Sequence, residues 1–388
     1  MRSAALADVC EILMGQAPTG DTYNTSGKGL PLIAGAGDFG ETYPSPKKFT
    51  TGSNLRTSLP GDVVIGIRAS IGDKVLADGV YCLGRGVAGL RAGPQLDPRY
   101  LWNWISHAAP TLAAKGRGAT FLQVNKNDIA ELVIPMPSLE EQRRIASILD
   151  AADLLRTKRR QALEKLDSLS QSVFVEMFGD GATTPVDPHG RTPTHNAGWV
   201  HRRLVDVAEL ATGHTPDRKI EDFWNGDVSW VNLNEIREHD GRVCSGTEAR
   251  ITDAGVRNSS AVVLPAGTVC FSRTASIGFV TVMGMPMATS QDFVNWICGD
   301  ELNPRYLMDA LVMSRSALRA SSSGSTHKTI YMRDAERFTV LLPPRELQDG
   351  YVARVEAIDN VRGQYLDSNE DLEELYASLQ HRAFRGAL

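Results

Sequence analysis

The chain is written twice. "ASIG" at Ala69–Gly72, inside "LPGDVVIGIRASIG", returns at Ala275–Gly278 inside "LPAGTVCFSRTASIG". At the same offset of 206, "LDPRYL" (from Leu96) meets "LNPRYL" (from Leu302). Pro137 and Gln142 meet Pro343 and Gln348, and Leu166, Leu169 and Phe178 meet Leu372, Leu375 and Phe384. Nearer the start the best offset is 198, where "LADVCEILMGQAP" (from Leu6) meets "LVDVAELATGHTP" (from Leu204). Matches in one order with one change of offset imply two copies of a unit of about 180 residues, with about eight extra residues in copy two between Pro216 and Leu264. A duplicated chain is expected to repeat one domain plan.

Each copy has two parts. The first mixes Gly and Pro with short β-branched runs such as "DVVIGI" and "SAVVLPAGTVCF", which predicts a globular α+β or mostly β domain over residues 1–137 and again over 199–343, with α+β the fold class expected. The second part lacks Gly and Pro from Ser138 to Phe178. That predicts one helix of about 60 Å at 1.5 Å per residue. Its counterpart, the helix expected over residues 344–388, is interrupted from Arg345 to Phe384 only by Gly350 and Gly363. Residues 179–198, rich in Pro, Gly and Thr, read as a linker with little to bury.

Both long helices carry a stripe at alternating spacings of four and three, the rhythm of a coiled coil. In the first it runs Ile148, Ala152, Leu155, Arg159, Ala162, Leu166, Leu169, Val173; in the second Arg354, Ile358, Val361, Tyr365, Ser368, Leu372, Leu375, Leu379. Pairing the two within one chain is the simplest way to cover both stripes. The other arrangement packs each helix only on its own domain, and would leave much of the overhanging apolar surface bare.

The motifs that mark catalysis do not assemble. Gly35, Gly37 and Gly40 satisfy G-x-G-x-x-G, but "ETYPSPKKF" follows, and Pro44 and Pro46 forbid the helix that a nucleotide site needs. There is no phosphate-cradling G-x-x-x-x-G-K-[ST], no G-x-S-x-G, and no Asn/Asp-Pro-Pro-aromatic tetrapeptide of an amino-methyltransferase. The eight His are dispersed, and Ser70 and Ser276 have no repeating His or acid to activate them. Five scattered Cys suit buried thiols of a reducing cytoplasm better than disulfides or zinc. No apolar run is long enough to cross a membrane, and the first residues lack a signal-peptide core. A binding protein, expected to be cytoplasmic, is what remains.

The net charge of −5 argues against gripping nucleic acid by bulk charge. By segment, residues 1–137 hold 13 basic and 11 acidic residues, and residues 199–344 hold 15 and 17. The helix over 138–178 balances at 7 and 7, while 345–388 has 5 and 9, so the acidity sits chiefly in the second helix. Any DNA surface must therefore cluster its cations or borrow charge from partners. "KGRGATFLQVNKND" (Lys115–Asp128) and "SSSGSTHKTIYMRD" (Ser321–Asp334) occupy matching places and mix flexibility with groups suited to phosphates and base edges. The candidate DNA contacts are Lys47, Lys48, Arg68, Lys115, Arg117, Gln123, Asn125 and Lys126 in the first copy. In the second they are Asn232, Asn234, Arg273, Ser325, His327, Lys328 and Arg333. Arg68 and Arg273 flank the two "ASIG" turns one residue out of register.

With these pieces in place, the chain resembles the specificity subunits of type I restriction–modification systems. The resemblance rests on "P-x-L-E-E-Q-x-x-I" (Pro137–Ile145), "LVDVAELATGHTP", "WVNLNEI" (Trp230–Ile236) and "FRG" (Phe384–Gly386), and spans nearly the whole chain. Copy two departs from it at "PPRELQDGYVARV", which lacks the usual Glu-Gln pair and carries Gly350. The resemblance implies two target-recognition domains and two spacer helices in an antiparallel coiled coil. It implies an asymmetric bipartite target in double-stranded DNA, with spacer length set by the helices. It also implies two methyltransferase (modification) subunits as partners, with restriction/translocase subunits as further ones. No cofactor is implied in this chain; S-adenosylmethionine would belong to the methyltransferase and ATP with Mg to the endonuclease. Two other readings remain: a coiled-coil scaffold that assembles proteins without reading DNA, and a stand-alone enzyme on another fold.

Overall fold

The computed structural model describes every residue except 1, 119–121, 180–183, 192–196 and 324–327, and the side chains of residues 367 and 370. Packing divides the chain into two compact units, one formed by residues 1–161 and 365–388, the other by residues 162–364. Both are α+β.

The first unit is built on four antiparallel strands: β1 (Cys10–Met14), β2 (Val63–Gly66), β3 (Lys74–Leu76) and β4 (Val87–Ala92), in the order β1-β4-β2-β3. Val63, Val64 and Ile65 are wholly buried, so "DVVIGI" is a central strand with both faces covered. A smaller sheet joins Tyr23–Asn24, Lys48–Thr50, Leu30–Ile33 and Cys82–Leu83. Helix α1 (Pro98–Ala114) explains "LDPRYL": Asp97 is its N-cap, accepting from the amides of Arg99 and Tyr100, and Pro98 fills the first helical position. Tyr100 and Leu101 are fully buried, and the Tyr100 hydroxyl donates to the Pro135 carbonyl at 3.0 Å. The long helix α2 (Leu139–Phe178) follows.

The second unit repeats the plan. Its sheet holds β5 (Ala208–Thr212), β6 (Arg242–Cys244), β7 (Val269–Ser272), β8 (Val280–Met283) and β9 (Phe293–Cys298), ordered β5-β9-β7-β8-β6. The registers repeat at the offsets read from the sequence. Val63 faces Leu90 as Val269 faces Trp296, and Cys10 faces Ala92 as Ala208 faces Cys298. Strand β6 has no counterpart among the described residues of the first unit, lies in the interval that carries the extra residues, and pairs parallel to β8. Asn303 caps helix α3 (Pro304–Met313), and the buried Tyr306 hydroxyl donates to Leu341 at 2.8 Å. The second long helix is α4 (Arg345–Arg385).

One glutamine in each copy fixes the start of the long helix. Gln142 Oε1 accepts from the Asp97 amide at 2.8 Å, while its Nε2 donates to Gln95 and Pro137 carbonyls, both at 3.0 Å. Gln348 repeats this with the Asn303 amide at 2.8 Å and the carbonyls of Glu301 at 3.0 Å and Pro343 at 2.8 Å. Both glutamines are fully buried. Copy two therefore keeps this anchor although Leu347 stands where copy one has Glu141.

Two sequence expectations need correction. Within residues 179–198, Val186–Asp187 form a buried strand paired with Thr339 and Val340, so part of the linker is folded into the second unit. The helix stripe also sits about one residue off in places. Leu155, Leu169, Val361 and Leu375 are exposed (57%, 45%, 42% and 52%), whereas Ala152 is buried and Ile148, Leu166, Val173, Ile358, Leu372 and Leu379 are partly covered. The inward positions are Leu149, Arg156, Arg362 and Tyr376 instead. In the first unit Arg156 pairs with Glu373 at 2.6 Å and lies 4.2 Å from the Tyr376 ring, and Arg159 lies over Tyr365 at 4.7 Å. In the second, Arg362 pairs with Asp167 at 2.9 Å. Arginine stems and tyrosine rings fill the contact, so an apolar count picks the neighbouring leucines.

Candidate nucleic-acid interface

The "ASIG" segment is the hairpin loop between β2 and β3, and between β7 and β8. Ala69 and Ala275 adopt φ of 54° and 52°, Gly72 and Gly278 φ of 93° and 95°. A left-handed alanine is uncommon, and the same position holds one in both copies. The loop closes identically: the Gly72 amide donates to Gly66 at 3.1 Å, and the Gly278 amide to Ser272 at 3.0 Å. Ser276 accepts from the Arg237 guanidinium.

Against this turn lies the polar loop singled out in each copy. Arg68 bridges Gln123, which bridges Arg117; in the second unit Thr274 bridges Thr329, which bridges Ser323. The scaffold is the same to the residue, while the side chains it displays differ.

The structure separates the candidates into engaged and free groups. Lys115 reaches Glu131 at 3.8 Å, and Arg117 pairs with the buried Asp128 at 3.3 Å. Asn125 is the N-cap of helix Lys126–Ala130 in a capping box with Asp128, and Asn232 caps Leu233–Glu238, so both side-chain oxygens serve the backbone. Asn234 Oδ1 accepts from Arg237 at 3.4 Å, and Arg273 donates to the Gln291 carbonyl at 2.8 Å. Arg333 lies 4.0 Å from Asp334 and over Tyr331. Among the described residues, Lys47, Lys48, Arg68, Lys126 and Lys328 have no acidic partner, and Gln123 is exposed. Ser325 and His327 lie outside the described residues. Lys48 also borders a cavity of about 680 Å³ with Tyr23, Asn24 and Arg85. Sequence reading missed Arg85, Arg237 and Gln291. Carrying the 206 offset past the "ASIG" turn pairs Arg85 with Gln291 and could have found two of them.

Burial pushes the Cys10 thiol up to about 12 and Cys82 to about 11, and Cys270 rises further still. No group of three or more His, Cys, Asp or Glu could hold a metal ion among the described residues. Among them no helix is long and apolar enough to cross a membrane. The glycines of the G-x-G-x-x-G run surround a short 3₁₀ turn, Ala36–Asp38.

Two α+β units that repeat one scaffold and vary one loop cluster define a protein with two related but unequal surfaces. The family model of the type I restriction modification DNA specificity domain matches residues 2–165 and again 196–366, so the chain belongs to that family. It is 34% identical over 165 residues to the MjaX type I restriction enzyme specificity subunit of Methanocaldococcus jannaschii, covering 42% of this chain and 39% of that one. It is 21% identical to the HindI specificity subunit of Haemophilus influenzae, over 71% of this chain and 73% of that one. The match thus spans well under half the length of the first relative. A solved type I restriction-modification S subunit from M. genitalium shares the fold at a TM-score of 0.59 and 14% identity, covering 99% of this chain and 96% of the other.

Proposed function

We propose that this chain is the DNA-reading component of a type I restriction–modification assembly, in which each unit reads one half of an asymmetric, bipartite site. One observation carries the reading: the hairpin turn and its facing loop recur with the same two bridges, yet display Arg68, Arg117 and Gln123 in one unit and Thr274, Ser323 and Thr329 in the other. A duplicated scaffold with unequal polar tips suits recognition of two different sequences. A homodimer would be confined to a palindrome. The long helices would pair as an antiparallel coiled coil and set the spacing between the half-sites. Two methyltransferase subunits would bind the chain, bring S-adenosylmethionine and flip the target adenine into their own site. Restriction/translocase subunits would add ATP- and Mg-dependent cleavage. Cationic surfaces of the methyltransferase subunits would also offset the charge of −5. The chain would contribute recognition and no catalysis, and would act in the cytoplasm.

The test is to purify the chain alone and together with a methyltransferase subunit encoded beside it. Adenine methylation at one discrete bipartite motif is expected only from the mixture. Methylation or cleavage by the chain alone would reject the division of labour. Equal binding of every sequence by the full complex would favour the scaffold.

A further inference from the structure

The turn after Leu83 and the turn after Thr289 are the same structural position. Two backbone bonds that flank it repeat in both units. The Gln16 amide donates to Leu83 at 2.8 Å as His214 does to Thr289 at 2.9 Å. The Ile67 amide donates to Gly86 at 3.0 Å as Arg273 does to Asp292 at 2.9 Å. Between these bonds stand Arg85 and Gln291.

Both side chains project from a backbone that is held tightly. Gly84 and Gly86 pack so closely on Ala34 that a Cβ would lie 2.8 Å from its Cα and 2.4 Å from its oxygen. Arg85 is exposed, has no acidic partner among the described residues, and borders the cavity with Ala17, Tyr23, Leu32 and Lys48. In the second unit Thr215 takes the place of Ala17, and its hydroxyl donates to Gln291 Oε1 at 2.5 Å, which orients the exposed amide. Each turn also adjoins the "ASIG" hairpin through residue 67 or 273, so it shares the edge that displays the variable loop.

We propose that Arg85 and Gln291 are equivalent purine-reading side chains, Arg85 for a guanine in one half-site and Gln291 for an adenine in the other. The proposal rests on the DNA-reading function proposed above and names its chemistry. Arginine matches guanine O6 and N7 with two donors, and glutamine matches adenine N6 and N7 with one acceptor and one donor. A phosphate clamp duplicated with the scaffold would keep a cation in both copies. Here a cation and a neutral amide stand on one backbone, the pattern of two readers tuned to different bases. Lys48, beside Arg85 in the first unit, suits the neighbouring phosphate.

Four variants test this in the complex with methyltransferase subunits: Arg85→Ala, Arg85→Gln, Gln291→Ala and Gln291→Arg, each scored by mapping every methylated site on genomic DNA. Arg85→Ala should lower discrimination at one guanine of one half-site on the order of 10- to 100-fold, with the other half unchanged. Gln291→Ala should do the same at one adenine of the other half. The exchanged variants should move the preferred base, guanine toward adenine for Arg85→Gln and the reverse for Gln291→Arg. An unchanged motif in complexes that assemble normally overturns the assignment. So does a uniform loss of methylation at every base, which marks a phosphate contact. Should one unit's variants fail to assemble, those of the other decide by the same criteria. A wild-type complex with no discrete motif would overturn the parent reading and this assignment with it.

Discussion

Lys74 is a cation in a place that disfavours cations. It lies on β3, donates to the Trp102 carbonyl at 2.5 Å and to the Ser106 hydroxyl, and sits 4.0 Å from the Trp102 ring centroid. Burial pulls its ammonium down from 10.5 to about 7, against the opposing pull of Asp153 and Asp150 on α2. In the unfolded chain the proton stays until near 10.5, so between about pH 7 and pH 10 the unfolded state binds more protons. Stability therefore rises with pH across that window. The buried thiols act in the opposite sense, since their raised values favour folding below their unfolded pKa and lose that contribution as pH rises. Comparison with Lys74→Met separates the two. Unfolding free energies from urea titrations at pH 7 and pH 9.5 should climb more steeply in the wild type, by on the order of a few kcal/mol. Equal slopes would show that Lys74 keeps its charge in the folded protein.

At the scale of elements, the long helices are held at both ends, and those ends were more legible than the middle. At the start, Gln142 and Gln348 each satisfy one amide and two carbonyls that the fold has already buried. Gln142→Leu would leave those groups without partners at about 1–3 kcal/mol for a buried polar group. The first unit should lose about 3 kcal/mol, read as a lowered urea midpoint, and Gln348→Leu should weaken the second likewise. A loss below about 1 kcal/mol would mean water replaces the amide. At the far end, Phe178 packs edge-on to Tyr306 at 5.0 Å, and Phe384 packs on Tyr100 at 5.5 Å. The repeated Gln, Tyr and Phe positions were visible because each is a single residue type required by a local geometry. The middle of each helix was not. The stripe did include Arg159 and Tyr365, but Arg156, Arg362 and Tyr376 also make the contact, with apolar stems and rings packed while polar tips find partners, and a hydrophobic stripe cannot register them. Strand β6 was legible only as extra length, since nothing in "GRVCSG" says which edge it will join.

At the scale of the whole molecule, duplication makes the two proposed readers separable in a way that a single domain is not. The registers of β2 with β4 and of β7 with β9 are the same, so the parts that build each sheet need nothing from the other copy's loops. The two copies display different side chains at the turn, its facing loop and the 84–86 and 290–292 corners, on strands that keep one register. Replacing residues 1–137 by the corresponding domain of a relative should therefore change one half of the methylated motif and leave the other half intact. The graft must keep Asp97, Tyr100 and Gln142 matched, because the Gln142 bonds to the Asp97 amide and the Gln95 carbonyl cross the proposed junction. Tyr100 in turn carries Phe384 from the second helix. Mapping methylated sites for the exchanged chain decides the outcome. One new half-site beside one old one supports two independent readers, whereas a change in both halves would mean that the units read a single sequence jointly.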